Sequence, residues 1–323
     1  MRKIFAALIA ASFLIAASKS APAQENWPQR QVNIIVPFAA GGSADLIGRI
    51  LQQQMQARFS VPFVVENKSG AGGSIGAAYA AKAPADGYTL FIGTASTQAI
   101  NPFLYKRLPF DVERDFQAIT LLVRFPNLLF VSNRVPARTV PEFIDYLKAN
   151  DGKVNFGSSG IGTSSHLSGV MFQLATGTKM THVPFRSTAE VVNSMLSGNI
   201  DVALESMTTT WSFAVSGQVR ALAVTSPERS AAAPDLPTIG EILKGYEATA
   251  WQGLFAPAGT PRPVVGRIAA EVKRTWESPA ATAALRQVGG EPATSSPDEF
   301  TQYTRAERAK WGEVVKAAGV QLD

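Results

Sequence analysis

The sequence predicts a two-lobed α/β protein, each lobe a mainly parallel sheet flanked by helices. Three observations lead there. The chain has 323 residues, 46% hydrophobic and 17% charged, which is the composition of a packed globular protein and more chain than one core usually holds. Strand-like and helix-like runs alternate through short connections, the pattern of parallel strands with crossover helices. Polar, glycine-rich loops recur between a strand and the helix after it, where such sheets gather their ligands.

The first residues are set aside from the fold. Arg2 and Lys3 precede an unbroken apolar run from Ile4 to Ala17, and Ala21-Pro22-Ala23 offers the small residues that signal peptidase reads. At 14 residues the run falls short of the roughly 20 that span a bilayer. Residues 1–23 are therefore read as a leader cleaved near Ala23, and the mature chain is expected in the periplasm. No later stretch is long and apolar enough to cross a membrane. There is no cysteine, which excludes a lipid-modified N-terminus, thiolate metal sites and cysteine nucleophiles. The formal charge of +5 falls to +2 without the leader, 27 basic against 25 acidic residues. No basic stripe interleaved with aromatics accompanies it, so no nucleic-acid partner is expected.

The elements follow in order. Val32 to Phe38 is a buried-strand pattern. After Ala39 to Ser43, the segment Ala44 to Phe59 places Leu46, Ile47, Ile50, Leu51, Met55 and Phe59 mostly on one helical face. Phe63 to Asn67 is a second strand, followed by a glycine turn and a small-residue helix ending at Ala81. Asp86-Gly87 turns into a third strand, Thr89 to Thr94. Asn127 to Val131 is a strand and Val140 to Ala149 a helix. Asn155 to Gly157 is extended, His166 to Ala175 helical, His182 to Phe185 extended and Ala189 to Leu196 helical. Asp201 to Glu205 and Arg220 to Thr225 are strands. Pro263 to Trp276 starts with prolines suited to a first helical turn. Ser296 to Ala318 opens Ser-Pro-Asp-Glu, an N-cap followed by acids. Crossings between lobes are expected near Leu122 to Pro126 and near Tyr246 to Trp251. One lobe would then hold residues 24–124 and 250–323, the other residues 125–249.

Several motifs read more simply than they look. Gly70-Ala71-Gly72-Gly73-Ser74-Ile75-Gly76 follows a strand, but a dinucleotide loop needs its third glycine where Ile75 stands. No nucleotide or other cofactor is expected. Ser164-Ser165-His166 lacks a G-x-S-x-G elbow, and nucleophile and base seldom adjoin in sequence. A secreted hydrolase using one of the two histidines, His166 or His182, stays open as an alternative. Two histidines without cysteine or a ligand-spaced motif give no metal site.

The loops carry the stronger signal. Phe38 to Asp45, Thr94 to Gln98 and Ser158 to Ser165 each stand between a strand and a helix. Unpaired N–H groups at a helix start carry partial positive charge, and small residues and hydroxyls let an anion approach them. Each loop alone is explained by a capped turn. Together, in an exported two-lobe chain, they predict a carboxylate-binding cleft.

The chain also resembles the Bug-type, TctC-like periplasmic receptors of the tripartite tricarboxylate transporter family. The resemblance runs in order through Val36 to Asp45 with Arg49, Val65 to Gly73, Asp86 to Leu90, Ala99 to Pro102, Gly160 to Leu167, His182 to Arg186, Arg220 to Thr225 and Pro257 to Pro261. It implies a periplasmic-binding-protein (Venus flytrap) fold and a receptor, not an enzyme. From the first loop it implies Phe38, Ala39, Gly41, Gly42, Ser43 and Asp45; because like charge beside an anion is unfavourable, Asp45 is expected from its position to cap or orient the loop without touching the ligand. Thr94 and Ser96 come from the second loop. Ser158, Ser159, Gly162, Thr163, Ser164 and His166 close from the other lobe. Arg186, Glu205 and Ser206 stand where the chain departs from the usual pattern, and would face the ligand's far end. The expected partners are a small organic acid (mono-, di- or tricarboxylate, aromatic acids included) and integral membrane permease subunits, the receptor itself being monomeric. A ligand-sensing receptor for a membrane signalling protein would share this pattern.

Overall fold

The computed structural model describes residues 27–287 and 289–323; the leader read in residues 1–23 lies outside them. Strand β1 (Val32–Val36) is almost wholly buried, as a β-branched run covered on both faces must be. It pairs in parallel with β2 (Phe63–Asn67) on one side and β3 (Thr89–Thr94) on the other. The crossover helix α1 (Ser43–Arg58) buries Ala44, Ile47, Leu51 and Met55, a stripe at helical spacing. The second crossover, α2 (Ser74–Ala81), is made of small residues because it lies close to the chain. A Cβ on Gly76 would stand 2.8 Å from both Lys68 O and Pro37 Cα. Beyond β3 the chain winds into a π-helical turn, Ser96–Ile100, continuous with α3 (Asn101–Leu104).

The 16-residue strand β4 (Phe116–Val131) joins two sheets. After it come α4 (Val140–Ala149), β5 (Asn155–Ser158), α5 (Ser164–Thr176), β6 (Thr181–Pro184), α6 (Thr188–Leu196), β7 (Val202–Ser206), α7 (Met207–Val215), β8 (Arg220–Val224) and α8 (Ile239–Ile242). The chain returns through β9 (Thr249–Pro257) and closes with α9 (Arg262–Trp276), α10 (Pro279–Gln287), the two-residue β10 (Glu291–Pro292) and α11 (Pro297–Ala318). A reciprocal Ser296/Glu299 capping box starts α11.

Residues Phe116–Pro126 of β4 pair antiparallel with β9, whereas Asn127–Val131 pair with β7 and β8. One lobe therefore has the sheet β2-β1-β3-β9-β4, with β10 on β4; the other has β6-β5-β7-β4-β8. In each sheet most strands run one way, with β9 and β10 reversed in the first and β4 in the second. Where the segments cross, the buried Thr225 hydroxyl accepts from Asn127 N and donates to Ala248 O, both at 2.8 Å. No helix of the described residues is long and apolar enough to cross a membrane.

One expected boundary changes, and two elements were not anticipated. β4 starts at Phe116 and not at Asn127, because register shifts at Ala118/Thr120 and Leu121/Val123 break the alternation that marks a strand. β9, buried along nearly its whole length, shows no alternation either. Helix α7 begins Met-Thr-Thr-Thr, β-branched residues that read poorly as helix.

Candidate functional site

Helical segments from both lobes begin at one cavity, which has an empty volume of about 520 Å³. From the first lobe come the starts of α1 (Gly42, Ser43, Ala44) and of the π-helical turn (Ala95, Ser96). From the second come those of α5 (Thr163, Ser164, Ser165), α6 (Ser187, Thr188) and α7 (Ser206). Each start carries amides without intrahelical partners and the positive end of a dipole. Capping is uneven. Thr163 accepts from His166 N and Ser187 from Glu190 N, whereas Gly42 has no side chain to offer α1, and Ser206 makes no side-chain cap to α7. The least capped starts thus retain the most donor capacity toward the cavity.

The lobes touch across this space. Ser164 N donates to Ser96 Oγ at 3.1 Å. Gly162, at φ +78°, lies so close to Leu104 that a Cβ would stand 1.8 Å from Leu104 Cδ2, and a Cβ on Gly72 would stand 3.2 Å from Ile161 O. Phe38, Phe125 and Trp251 give the cavity apolar wall, and Thr94, Asn127, Ser159 and Gln252 add polar groups.

Of the residues singled out from sequence, Phe38, Gly42, Ser43, Thr94, Ser96, Ser159, Thr163, Ser164, Glu205 and Ser206 line the cavity. Ala39, Gly41, Asp45, Ser158, Gly162, His166 and Arg186 are not in its wall, each for a local reason. Asp45 turns back on its loop: it accepts from Gly41 N at 3.0 Å, Arg49 Nε at 2.9 Å and Asn67 Nδ2 at 3.0 Å. Burial opposes its charge, but these donors outweigh burial and hold the carboxyl below the ordinary range. Gly41 serves as a donor to that carboxylate, and Ala39 closes the turn by accepting from Gly42 N. Ser158 is fully buried and hydrogen-bonded to His182 Nε2 at 2.6 Å. Gly162 N donates to His166 Nδ1 at 3.2 Å. Arg186 is exposed to solvent, its amide donating to Glu190 Oε2.

His166 and His182 stack with ring centroids 4.1 Å apart beneath the Ser158–Ser165 loop. Burial, and for His166 the neighbouring ring as well, pushes them down to about 3 and about 4. They are neutral spacers in a hydrogen-bonded scaffold. Among the described residues no carboxylate orients either ring, and the serine beside His182 is sealed from solvent, which leaves the hydrolase reading without a nucleophile there.

Glu205 differs. It is 1% exposed yet lines the cavity. Oε1 accepts from Ser159 N at 2.6 Å and Oε2 from Thr188 Oγ1 at 2.7 Å. Burial pushes its carboxyl up, partly offset by these donors.

Sequence reasoning placed Ser165 only as part of its loop, and missed Ser187, Thr188, Asn127, Trp251 and Gln252. A Ser-Thr-Ala-Glu start at Ser187 was a readable capping signal. Asn127, Trp251 and Gln252 come from the two strands that cross between lobes, and nothing local marks them.

Residues 47–320 match the family model described as "Tripartite tricarboxylate transporter family receptor". The protein BugT of Bordetella pertussis is 31% identical over 313 residues, 96% of each chain. The R. palustris protein Rpa4515, solved with adipate, is 34% identical with a TM-score of 0.89, covering 92% of this chain and 99% of that one. MatC from Rhodopseudomonas palustris, with bound malate, is 30% identical with a TM-score of 0.84, covering 90% and 100%.

Proposed function

The chain belongs to the family of tripartite tricarboxylate transporter receptors, and on that premise we propose that it captures an organic carboxylate in the interlobe cavity and presents it to a membrane permease. It is a binding protein, as its family is, and not an enzyme. One observation carries the choice of ligand class. The positive ends of helical segments from both lobes border one cavity whose lining, among the described residues, includes no lysine, arginine or histidine, so an anion there would be held by amides and hydroxyls. The adipate and malate bound by similar proteins support the same class.

In this reading the lobes are residues 24–124 with 250–323, and residues 125–249. The change of partners along β4 between Pro126 and Asn127 supports that division. The carboxylate is met first by Gly42, Ser43 and Ser96; the second lobe then closes with Ser159, Thr163 and Ser164. Asp45 holds the first loop in shape. Ligand favours closure only by its greater affinity for the closed form. Residues 1–23 direct export to the periplasm and are removed near Ala23.

The test is a thermal-shift screen of organic acids on protein stripped of ligand by unfolding and refolding. A ligand at a hundred times its Kd stabilises by about 2.7 kcal/mol, a rise of about 4 °C for a chain of about 300 residues. Indifference to every organic acid would overturn the proposal.

A further inference from the structure

The cavity is electrically lopsided. Glu205 is the one ionisable side chain among the described residues that line it. Its hydrogen-bond partners, Ser159 N and Thr188 Oγ1, are neutral. It stands at the end of β7, beside the starts of α5, α6 and α7, so the positive ends of the second lobe already face an acid supplied by the protein. The first lobe has no such occupant, because Asp45 is spent on Gly41, Arg49 and Asn67. A second acceptor is also unmet. Gln252, 2% exposed, donates through Nε2 to Ser43 Oγ at 3.1 Å, while its Oε1 has no partner among the described residues.

A buried acid without a countercharge is costly, and an incoming hydrogen-bond donor relieves that cost, whereas a second anion adds to it. We infer that Glu205 occupies the place a second ligand carboxylate would need, so the ligand is a monocarboxylate whose far end carries a hydrogen-bond donor, an ammonium or a hydroxyl. This rests on the cavity being the carboxylate site. Burial pushes the Glu205 carboxyl up, and a ligand donor beside it would favour its charged form. Specificity then comes from repulsion of the wrong ligand as much as from attraction of the right one.

The test is calorimetric titration of the ligand-stripped full chain with acids matched in length: ω-amino, ω-hydroxy and ω-carboxy alkanoates of three to six carbons, and the corresponding para-substituted benzoates. In the series that binds, the donor-ended acid should exceed its dicarboxylate counterpart by about tenfold or more. Glu205→Gln keeps the shape, its carbonyl oxygen still accepting from Ser159 N while its amide NH2 donates to the Thr188 hydroxyl, and should shrink that ratio by about tenfold, chiefly by improving the dicarboxylate. Equal or tighter dicarboxylate binding by the native protein overturns the inference and leaves the carboxylate reading intact. So does a ratio that Glu205→Gln does not change. Should that variant fail to fold, the native ratios decide alone. Absence of binding by every acid sinks the carboxylate reading itself.

Discussion

Gly162→Ala tests whether the lobes must meet as they do here for ligand to be held. The new methyl would stand 1.8 Å from Leu104 Cδ2 and 3.3 Å from its Cγ, across the lobe boundary. Leu104 is fully buried, so it can yield only by disturbing its neighbours. Overpacking of this kind costs about 1–3 kcal/mol. The left-handed backbone, φ +78°, costs an alanine about another 1–2 kcal/mol, but in open and closed forms alike. Only the overpacking separates the two forms. At about 2 kcal/mol it lowers affinity roughly 30-fold, while the backbone strain lowers Tm by a few degrees. Calorimetric titration with the best ligand reads the first effect, and small-angle scattering of free and liganded protein reads the closure. Adding Leu104→Ala should lower Tm further yet recover most of the affinity, because the clash is gone. A Gly162→Ala protein that is less stable but binds as tightly as the native one would refute the reasoning, since closure through this contact would then contribute nothing to binding.

Other outcomes follow from the same scaffold. Asp45→Ala removes the acceptor shared by Gly41 N, Asn67 and Arg49, and should cost about 2–4 kcal/mol with at least tenfold weaker binding. Arg49→Ala should cost under about 1 kcal/mol, because that arm is 52% exposed; a larger loss on removing Arg49 than Asp45 would contradict the assignment. Acid should weaken the fold through the stacked histidines. Their folded pKa values lie near 3 and 4, below the ordinary 6.5, so the unfolded chain binds protons first. Stability is complete above about pH 6.5 and falls as pH drops toward 3, with His166 alone accounting for about 2 kcal/mol by pH 5. Urea unfolding at pH 7.5 and pH 5 checks this, and His166→Gln should flatten the difference; an unchanged slope would place its cause elsewhere.

The first lobe was legible in the sequence because its parallel strands are short, apolar runs between glycine-marked turns. Val32 to Val36, Phe63 to Asn67 and Thr89 to Thr94 each announce themselves that way. The loops that begin helices were legible for the same reason: Gly41-Gly42-Ser43 and Gly160 to Ser165 are chemistry as well as punctuation. What escaped was the material joining the lobes. The bulges of β4 and the two-sided burial of β9 remove alternation, and Asn127, Trp251 and Gln252 acquire meaning only once both strands pass the cavity. Arg186 was expected at the ligand's far end, yet the turn before α6 sends Ser187 and Thr188 inward and leaves the guanidinium in solvent. Charge is easy to see in a sequence, and the direction in which it points is not.

A crystal structure of the protein with a tight-binding organic acid tests the central claim most directly. The account predicts carboxylate oxygens within about 3.2 Å of backbone amides or hydroxyls at Gly42 to Ala44 and at Ser96, with Ser159 to Ser165 closed over the same molecule. A ligand seated on another face, or held in the cleft by a lysine or arginine with those amides bare, would contradict it.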